Sequence, residues 1–423
     1  MQQHLYGIDF GTTNSVLSIF DRNTKEIVDT ISIPSILYFP INQNSNDSLE
    51  FLIGNDAIQG YLKEGMKGRF MKSIKQVLPI SNFNETRIGN KNYTASDLVS
   101  LILLDLKNKA DKIIGYECRT AILGRPVFFD DQEKGKDDLA QARLLKSAEL
   151  AGFTNIRFQL EPISAAFAYE KTISKKERVL VADLGGGTTD FTLIELDPIK
   201  SGKANRREDI LGTGGIYIGG DSFDSAFMWE KGTPHFGRGL KYESMPGKMV
   251  DLPTSFFQNI CSWKEMNFFN GQKVRNSLSQ YYTYTKRNPL LKNLITLIDN
   301  NLGFSIFQEV EKVKIELSNN EKVVFQFSKN EIEINEIVEI ETYKQIIQED
   351  VYAIEKYLNQ FLAINNIQIS DIDSLFLTGG TSMVRSIKEI FQSIFPETPI
   401  HSGDNFISVA NGLALSEYLF EFD

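Results

Sequence analysis

The chain has 423 residues, 45 of them basic and 55 acidic, which gives a net charge of −10; 42% are hydrophobic and 24% charged. Those are ordinary globular proportions, enough for two or three domains, and the negative field argues against a general nucleic-acid or anionic-membrane binder. Two cysteines without CxxC spacing and three scattered histidines indicate neither a disulfide framework nor a metal cluster, and they point to a reducing compartment.

The start, Met1-Gln2-Gln3-His4-Leu5, has no basic leader segment, and no run of about 18 apolar residues follows, so a cytoplasmic protein is expected. Apolar strands at 5–8 and 15–20 flank a polar turn, Asp9-Phe10-Gly11-Thr12-Thr13-Asn14. Residues 42–48 read as a surface loop, and 66–78 as an apolar, helical segment carrying Lys72 and Lys75 near its end. A strand at 120–124 leads into Arg125-Pro126, a helix spans 136–151, and a strand at 156–160 stops at Glu161-Pro162 before a helix at 163–171. Ala165, Ala166 and Ala168 would let that helix pack closely.

The order then repeats. Strands at 179–182 and 191–196 flank Asp183-Leu184-Gly185-Gly186-Gly187-Thr188-Thr189-Asp190, and a glycine-rich turn at 212–220 follows. Residues 225–305 are aromatic-rich and give no clear period. A helix at 308–317, strands at 323–327 and 332–340, and a long helix at 342–363 come next. The end is compact: a strand at 375–377, the turn Thr378-Gly379-Gly380-Thr381, a helix at 382–395 closed by Pro396, and a helix at 407–420 whose Gly412 permits a close crossing.

Two Asp-turn-Thr-Thr loops, each in a hairpin, suggest a duplicated domain gripping one polyanion. The aspartates sit at strand ends, where they can reach Mg²⁺ directly or through water. The glycines let backbone N–H groups approach phosphate oxygens, and the threonine hydroxyls add donors. Taken singly, either loop is equally a Gly-Thr turn with a solvated aspartate; the recurrence, with the glycine pair at 379 and 380, favours phosphate.

Gly7-Ile8-Asp9-Phe10-Gly11-Thr12-Thr13-Asn14-Ser15, Leu160-Glu161-Pro162-Ile163-Ser164-Ala165-Ala166, the Asp183 loop and Thr378-Gly379-Gly380-Thr381 resemble the phosphate-1, connect-1, phosphate-2 and adenosine motifs of the actin/hexokinase/heat-shock ATPase superfamily. The wording is similar to that of the DnaK-type heat-shock protein 70 family. Ile33-Pro34-Ser35, Ile218-Gly219-Gly220-Asp221-Ser222-Phe223-Asp224 and Glu311-Lys312-Val313-Lys314-Ile315-Glu316-Leu317-Ser318 extend the resemblance along nearly the whole chain.

The resemblance implies an α/β, actin-like ATPase fold of two lobes, each a mixed sheet flanked by helices, with MgATP in the cleft between them. Lobe I would take 1–172, lobe II 173–396 with 225–340 as an upper subdomain, and 397–423 a helix returning to lobe I. It implies that Lys75 neutralises charge near the γ-phosphate, that Glu161 and Asp183 order the attacking water and the metal shell, and that Thr188 touches the γ-phosphate. Asp9 and Asp183 would hold Mg²⁺ largely through water. Gly11, Thr12, Thr13, Asn14, Gly185, Gly186, Gly187, Gly219 and Gly220 would line the nucleotide, with Glu311, Lys314, Ile315, Ser318, Gly379, Gly380, Thr381 and Met383 at its adenosine end. Read without the resemblance, Lys75 is a solvated helix lysine, and Glu311 with Lys314 an exposed ion pair one turn apart.

Two departures from the family pattern stand out. Met383 occupies the place of an arginine over adenine, with Arg385 two residues later, which forfeits a cation–π contact of about 0.5–2 kcal/mol. The sequence also ends without the family's linker, peptide-binding domain and lid, a layout similar to heat-shock-like proteins with the nucleotide-binding domain alone. Pro126 matches the proline of the family's interdomain switch, and Lys134 is the nearest basic residue to the arginine expected after it. The expected activity is slow, Mg-dependent ATP hydrolysis serving as a conformational switch. A nucleotide-binding regulatory or scaffold module without turnover, a small-molecule kinase of the superfamily and a filament-forming relative stay open, as do oligomeric state and any protein partner or co-chaperone.

Overall fold

In a computed structural model, residues 2–41, 50–129, 134–170, 172–199, 207–262, 266, 271–402 and 408–419 are described; the 42–48 loop and the side chain of Lys134 lie outside them. No described helix is long and apolar enough to cross a membrane. The chain forms two compact units. The first comprises Met1–Ile218, Ile354–Ser382 and Phe391–Asp423; the second comprises Gly219–Ala353 and Met383–Ile390.

The first unit contains two five-stranded sheets of the same topology. In one, Glu26–Pro34, Asn14–Asp21 and His4–Phe10 run antiparallel, and Thr120–Arg125 and Asn155–Leu160 continue in parallel from the last of these. In the other, Ile210–Ile216, Thr189–Leu196 and Glu177–Leu184 run antiparallel, and Ser374–Thr378 and Ile400–Ser402 continue in parallel. The duplication inferred from the two loops is thus a duplication of whole sheets. Each loop joins the first two strands of its sheet, with Phe10 opposite Ser15 and Leu184 opposite Thr189.

Near-continuous apolar strands demand cover on both faces, as sheets with parallel strands usually do. On one face of the first sheet lie the Ala95–Ile114 and Lys134–Leu150 helices, contributing Leu98, Ile102, Leu106, Ala140, Leu144 and Ala148 to one core. Thr94 caps the first of these through the Asp97 N–H, and Gly115 closes it at φ 81°. A second core brings Leu5, Phe20 and Ile122 of the first sheet together with Val179, Val181 and Ile194 of the second. Between them are Ile163, Ala165 and Ala166 of the Glu161–Glu170 helix and Val409, Leu413 and Ala414 of the Ser408–Leu415 helix. Each large side chain buried this fully is worth about 1.5–3 kcal/mol.

Three sequence expectations need correction. Residues 66–78 are not a helix: Met66 and Ser73 adopt left-handed backbone at φ 60°, leaving a short strand, Arg69–Met71, and a single 3₁₀ turn, Ile74–Val77. The glycine-rich stretch is a strand as far as Ile216, because β-carbons at Gly212, Gly214 and Gly215 would collide with Asn365, Tyr357 and Asp190. Residues 382–395 are divided between a 3₁₀ turn, Gly380–Met383, and a helix, Arg385–Ile394.

The second unit is built on aromatic side chains without a simple period, with Phe223, Phe227, Phe236 and Phe325 fully or almost fully buried. Phe227 meets Phe325 edge-on at 5.3 Å. The strands Lys322–Lys329 and Ile332–Glu339 alternate buried and exposed residues, and Asn330 and Glu331, at φ 50° and 68°, supply the paired positive φ of a tight hairpin turn.

Candidate nucleotide site

In the first unit Lys75 and Gln76 sit on the 3₁₀ turn Ile74–Val77. Lys75 Nζ donates to Glu161 Oε1 at 2.8 Å, and the two side chains are only 13% and 8% exposed. Glu161 is the first residue of its helix, where the dipole favours a carboxylate. Burial pushes the Asp9 and Asp183 carboxyls well above the ordinary range; Glu161 raises both further, and Lys75 opposes the rise. Burial works against the charge on Lys75, yet Glu161, Asp9 and Asp183 outweigh it and its pKa lies above the usual value. One lysine and three carboxylates therefore act on one another as a single cluster.

Each loop is braced from behind. Ser35 Oγ donates to the Gly11 carbonyl at 2.7 Å and lies 2.7 Å from Ser15 Oγ, while the Ser35 N–H donates to the Thr13 carbonyl at 2.8 Å. In the second loop the Gly185 N–H donates to the Thr188 carbonyl at 2.9 Å, and Thr188 Oγ1 to Asp190 at 3.0 Å. Thr381 Oγ1 donates to the Gly185 carbonyl at 2.7 Å. Gly379, at φ 81°, lies so close behind the strand end that a β-carbon would stand 2.2 Å from the Leu184 oxygen and 2.9 Å from Asp183 Oδ1. These contacts fix the backs of both turns.

A surplus of buried carboxylate over lysine suits a divalent cation. Among the described residues no three His, Cys, Asp or Glu side chains close on one point.

In the second unit Lys314 Nζ donates to Asp224 Oδ2 at 2.7 Å and to the Gly220 carbonyl at 3.3 Å. The ion pair that Lys314 makes is therefore with Asp224, across from its own helix. Burial raises the Asp224 carboxyl to about 6 against the pull of Lys314. Lys314 and Ser318 border a narrow crevice with Leu317, Tyr343, Val384 and Arg385, closed to a ligand as it stands. Arg385 Nε donates to the Ser318 carbonyl at 3.2 Å, and its guanidinium is paired with Glu321. Met383 is 38% and Ile315 59% exposed, and neither lines this crevice.

Of the residues singled out by sequence, Asp9, Lys75, Glu161 and Asp183 come together in the first unit, along with the two loops, Gly379 and Thr381. Gly220, Lys314 and Ser318 come together in the second. Sequence reasoning gave no role to Gln76, Asp224, Tyr343 or Arg385 in a site. Asp224 stood inside a motif already noted, but nothing in its spacing marks it as the partner of Lys314.

The chain matches the family model described as Hsp70 protein over residues 66–230 and 282–419. It is 23% identical to the chaperone protein DnaK of Mycoplasmopsis agalactiae, across 97% of this chain and 58% of that protein. It is 25% identical to the chaperone protein DnaK of Thermosipho melanesiensis, across 98% and 59%, and likewise 25% to that of Thermosipho africanus, across 98% and 58%. The chain thus spans somewhat over half the length of the curated relatives it matches. With its mixed sheets flanked by helices, the same loop repeated in both, and this match along most of its length, the chain belongs to the Hsp70 family.

Proposed function

We propose that the chain binds MgATP and hydrolyses it slowly, using loss of the terminal phosphate as a conformational switch. The observation that carries this reading is the Lys75–Glu161 pair at 2.8 Å, electrostatically coupled to Asp9 and Asp183 at the ends of two glycine loops. Such sites act by positioning and charge stabilisation rather than by covalent chemistry. Lys75 offsets charge on the γ-phosphate; backbone N–H groups at Gly11–Thr13 and Gly186–Gly187 hold phosphate oxygens, and the Thr188 hydroxyl would turn from Asp190 to join them. Asp183 accepts a hydrogen bond from the attacking water, and Glu161 would order a water of the metal shell beside it. Asp9 and Asp183 would hold Mg²⁺ through its waters, and that ion, when bound, supplies further neutralisation of the phosphates.

The crevice of the second unit, with Lys314, Ser318 and Arg385, would take the adenosine end on opening, its donors turning from Asp224 and Glu321. Gly219, Gly220 and Glu311 are the further contacts proposed in that unit, and Gly379, Gly380 and Thr381 those proposed behind the second loop of the first unit. A chaperone role, a co-chaperone partner and a cytoplasmic location are proposals that follow from the names and family of the relatives.

ATP shifts a conformational equilibrium only by its differential affinity for the two states, so turnover must change that affinity. Single-turnover hydrolysis with Mg²⁺ and labelled ATP tests the reading. Lys75→Ala is expected to slow it about 10²–10³-fold, the effect of losing one positioned electrostatic group. Near-wild-type hydrolysis in a Lys75→Ala chain that still binds ATP would sink the assignment.

A further inference from the structure

Gln76 follows Lys75 on the same 3₁₀ turn, and its side chain reaches the second loop. Its Nε2 stands 2.7 Å from where a β-carbon on Gly187 would be, so a side chain there would push the carboxamide from its place against the loop. Its Oε1 is buried and has no hydrogen-bond partner among the described residues. Folded proteins seldom keep a buried acceptor unpaired unless the site uses it. A half-turn of the amide exchanges oxygen for nitrogen and leaves a polar atom in the same place. The two neighbours on this turn therefore address the two sides of the cluster: Lys75 is committed to Glu161, while Gln76 has hydrogen-bonding capacity to spare beside Gly187.

We infer that Gln76 is a positioning residue for nucleotide hydrolysis, its carboxamide holding the attacking water against the terminal phosphate at the Gly187 turn. The inference rests on the hydrolytic reading above. In the step concerned, the water oxygen bonds to the γ-phosphorus and the bridging P–O bond breaks with its electron pair staying on ADP. One water proton remains on the phosphate product and the other passes to solvent. Gln76 exchanges no proton; it restricts where the water lies.

Gln76→Met keeps the volume and removes both polar atoms, so it separates packing from positioning. With Mg²⁺ and ATP, single-turnover hydrolysis is expected to fall about 10-fold, the scale of one lost hydrogen bond. The Kd for MgATP should change less than about 3-fold, and the melting temperature of the nucleotide-free chain should hold or rise because an unpaired acceptor has gone. Gly187→Ala, whose β-carbon would displace the carboxamide, provides a second route to the same loss should Gln76→Met fold poorly. A wild-type chain that turns over alongside variants within 2-fold of its rate overturns this role alone. A wild-type chain that binds MgATP without turning it over overturns the hydrolytic reading, and this role with it.

Discussion

Gly412 crosses Ser164 so closely that a β-carbon on it would lie 1.7 Å from the Ser164 carbonyl oxygen and 2.4 Å from its carbon. The contact is backbone against backbone, so no rotamer change can relieve it. It joins the Ser408–Leu415 and Glu161–Glu170 helices in the core between the two sheets of the first unit. Gly412→Ala gains about 1 kcal/mol of helix propensity but must push the helices apart. The expected net loss is about 3 kcal/mol or more, at the upper end of overpacking, measured by urea unfolding. A stability equal to wild type would mean that the crossing is not as tight as described.

Ser35 ties the first loop to its neighbour through the Gly11 carbonyl and Ser15 Oγ. Ser35→Ala strands buried polar partners, and each such loss costs about 1–3 kcal/mol. Reduced stability should come with weaker nucleotide binding, because the Gly11 turn loses its brace. Calorimetric titration with MgADP, read beside the melting temperature, checks both.

Arg385 lines the crevice of the second unit and Met383 does not. Arg385→Ala should weaken MgADP binding about 10-fold, as expected from losing a stacked or hydrogen-bonded guanidinium worth about 1–2 kcal/mol. Met383→Ala should change it less than about 3-fold. The reverse ranking would transfer the adenosine contact to Met383.

Burial pushes the Asp224 carboxyl up to about 6, above the ordinary aspartate range, with Lys314 opposing and Glu311 and Asp221 adding to the rise. A carboxyl whose folded pKa is raised favours the fold while protonated in both states. That contribution is full below about pH 4 and is lost as pH climbs through about 6. Relative to Asp224→Asn, the wild-type chain should therefore gain stability as pH falls from about 6 to about 4. Paired urea titrations across that window measure the difference, and a constant difference would refute the shift.

Both thiols are buried and uncharged at neutral pH: burial pushes Cys118 up to about 11 and Cys261 up to about 12. The thiolate is the reactive form. A thiol reagent should label neither quickly in the folded chain and both at once in denaturant. Rapid labelling of either in native buffer would show that its pocket opens.

The hairpins around Asp9 and Asp183 were legible because apolar strands bracket short polar turns, a local pattern with local causes. The 66–78 segment was not, since its course depends on Met66 and Ser73 adopting a backbone that non-glycine residues rarely take. The glycines from 212 to 215 looked like a turn by composition; what makes them a strand is the closeness of Tyr357 and Asn365, far along the chain. Resemblance gave Lys75 and Glu161 separate roles, whereas their ion pair, like Gln76 against Gly187, arises only when distant segments meet. The aromatic core of the second unit had no period to read, because its phenylalanines come from several short elements.

The helix that begins at Glu161 does more than carry an acid. Its Ile163, Ala165 and Ala166 are wedged in a core shared by both sheets, and its Tyr169 hydroxyl reaches Glu177, Ser374 and His401 in the second sheet at 2.9–3.2 Å. One end of this rod is thus anchored in one sheet's polar edge while the other presents the carboxylate that holds Lys75. Any shift of one sheet past the other would therefore act on the Lys75–Glu161 pair through this helix.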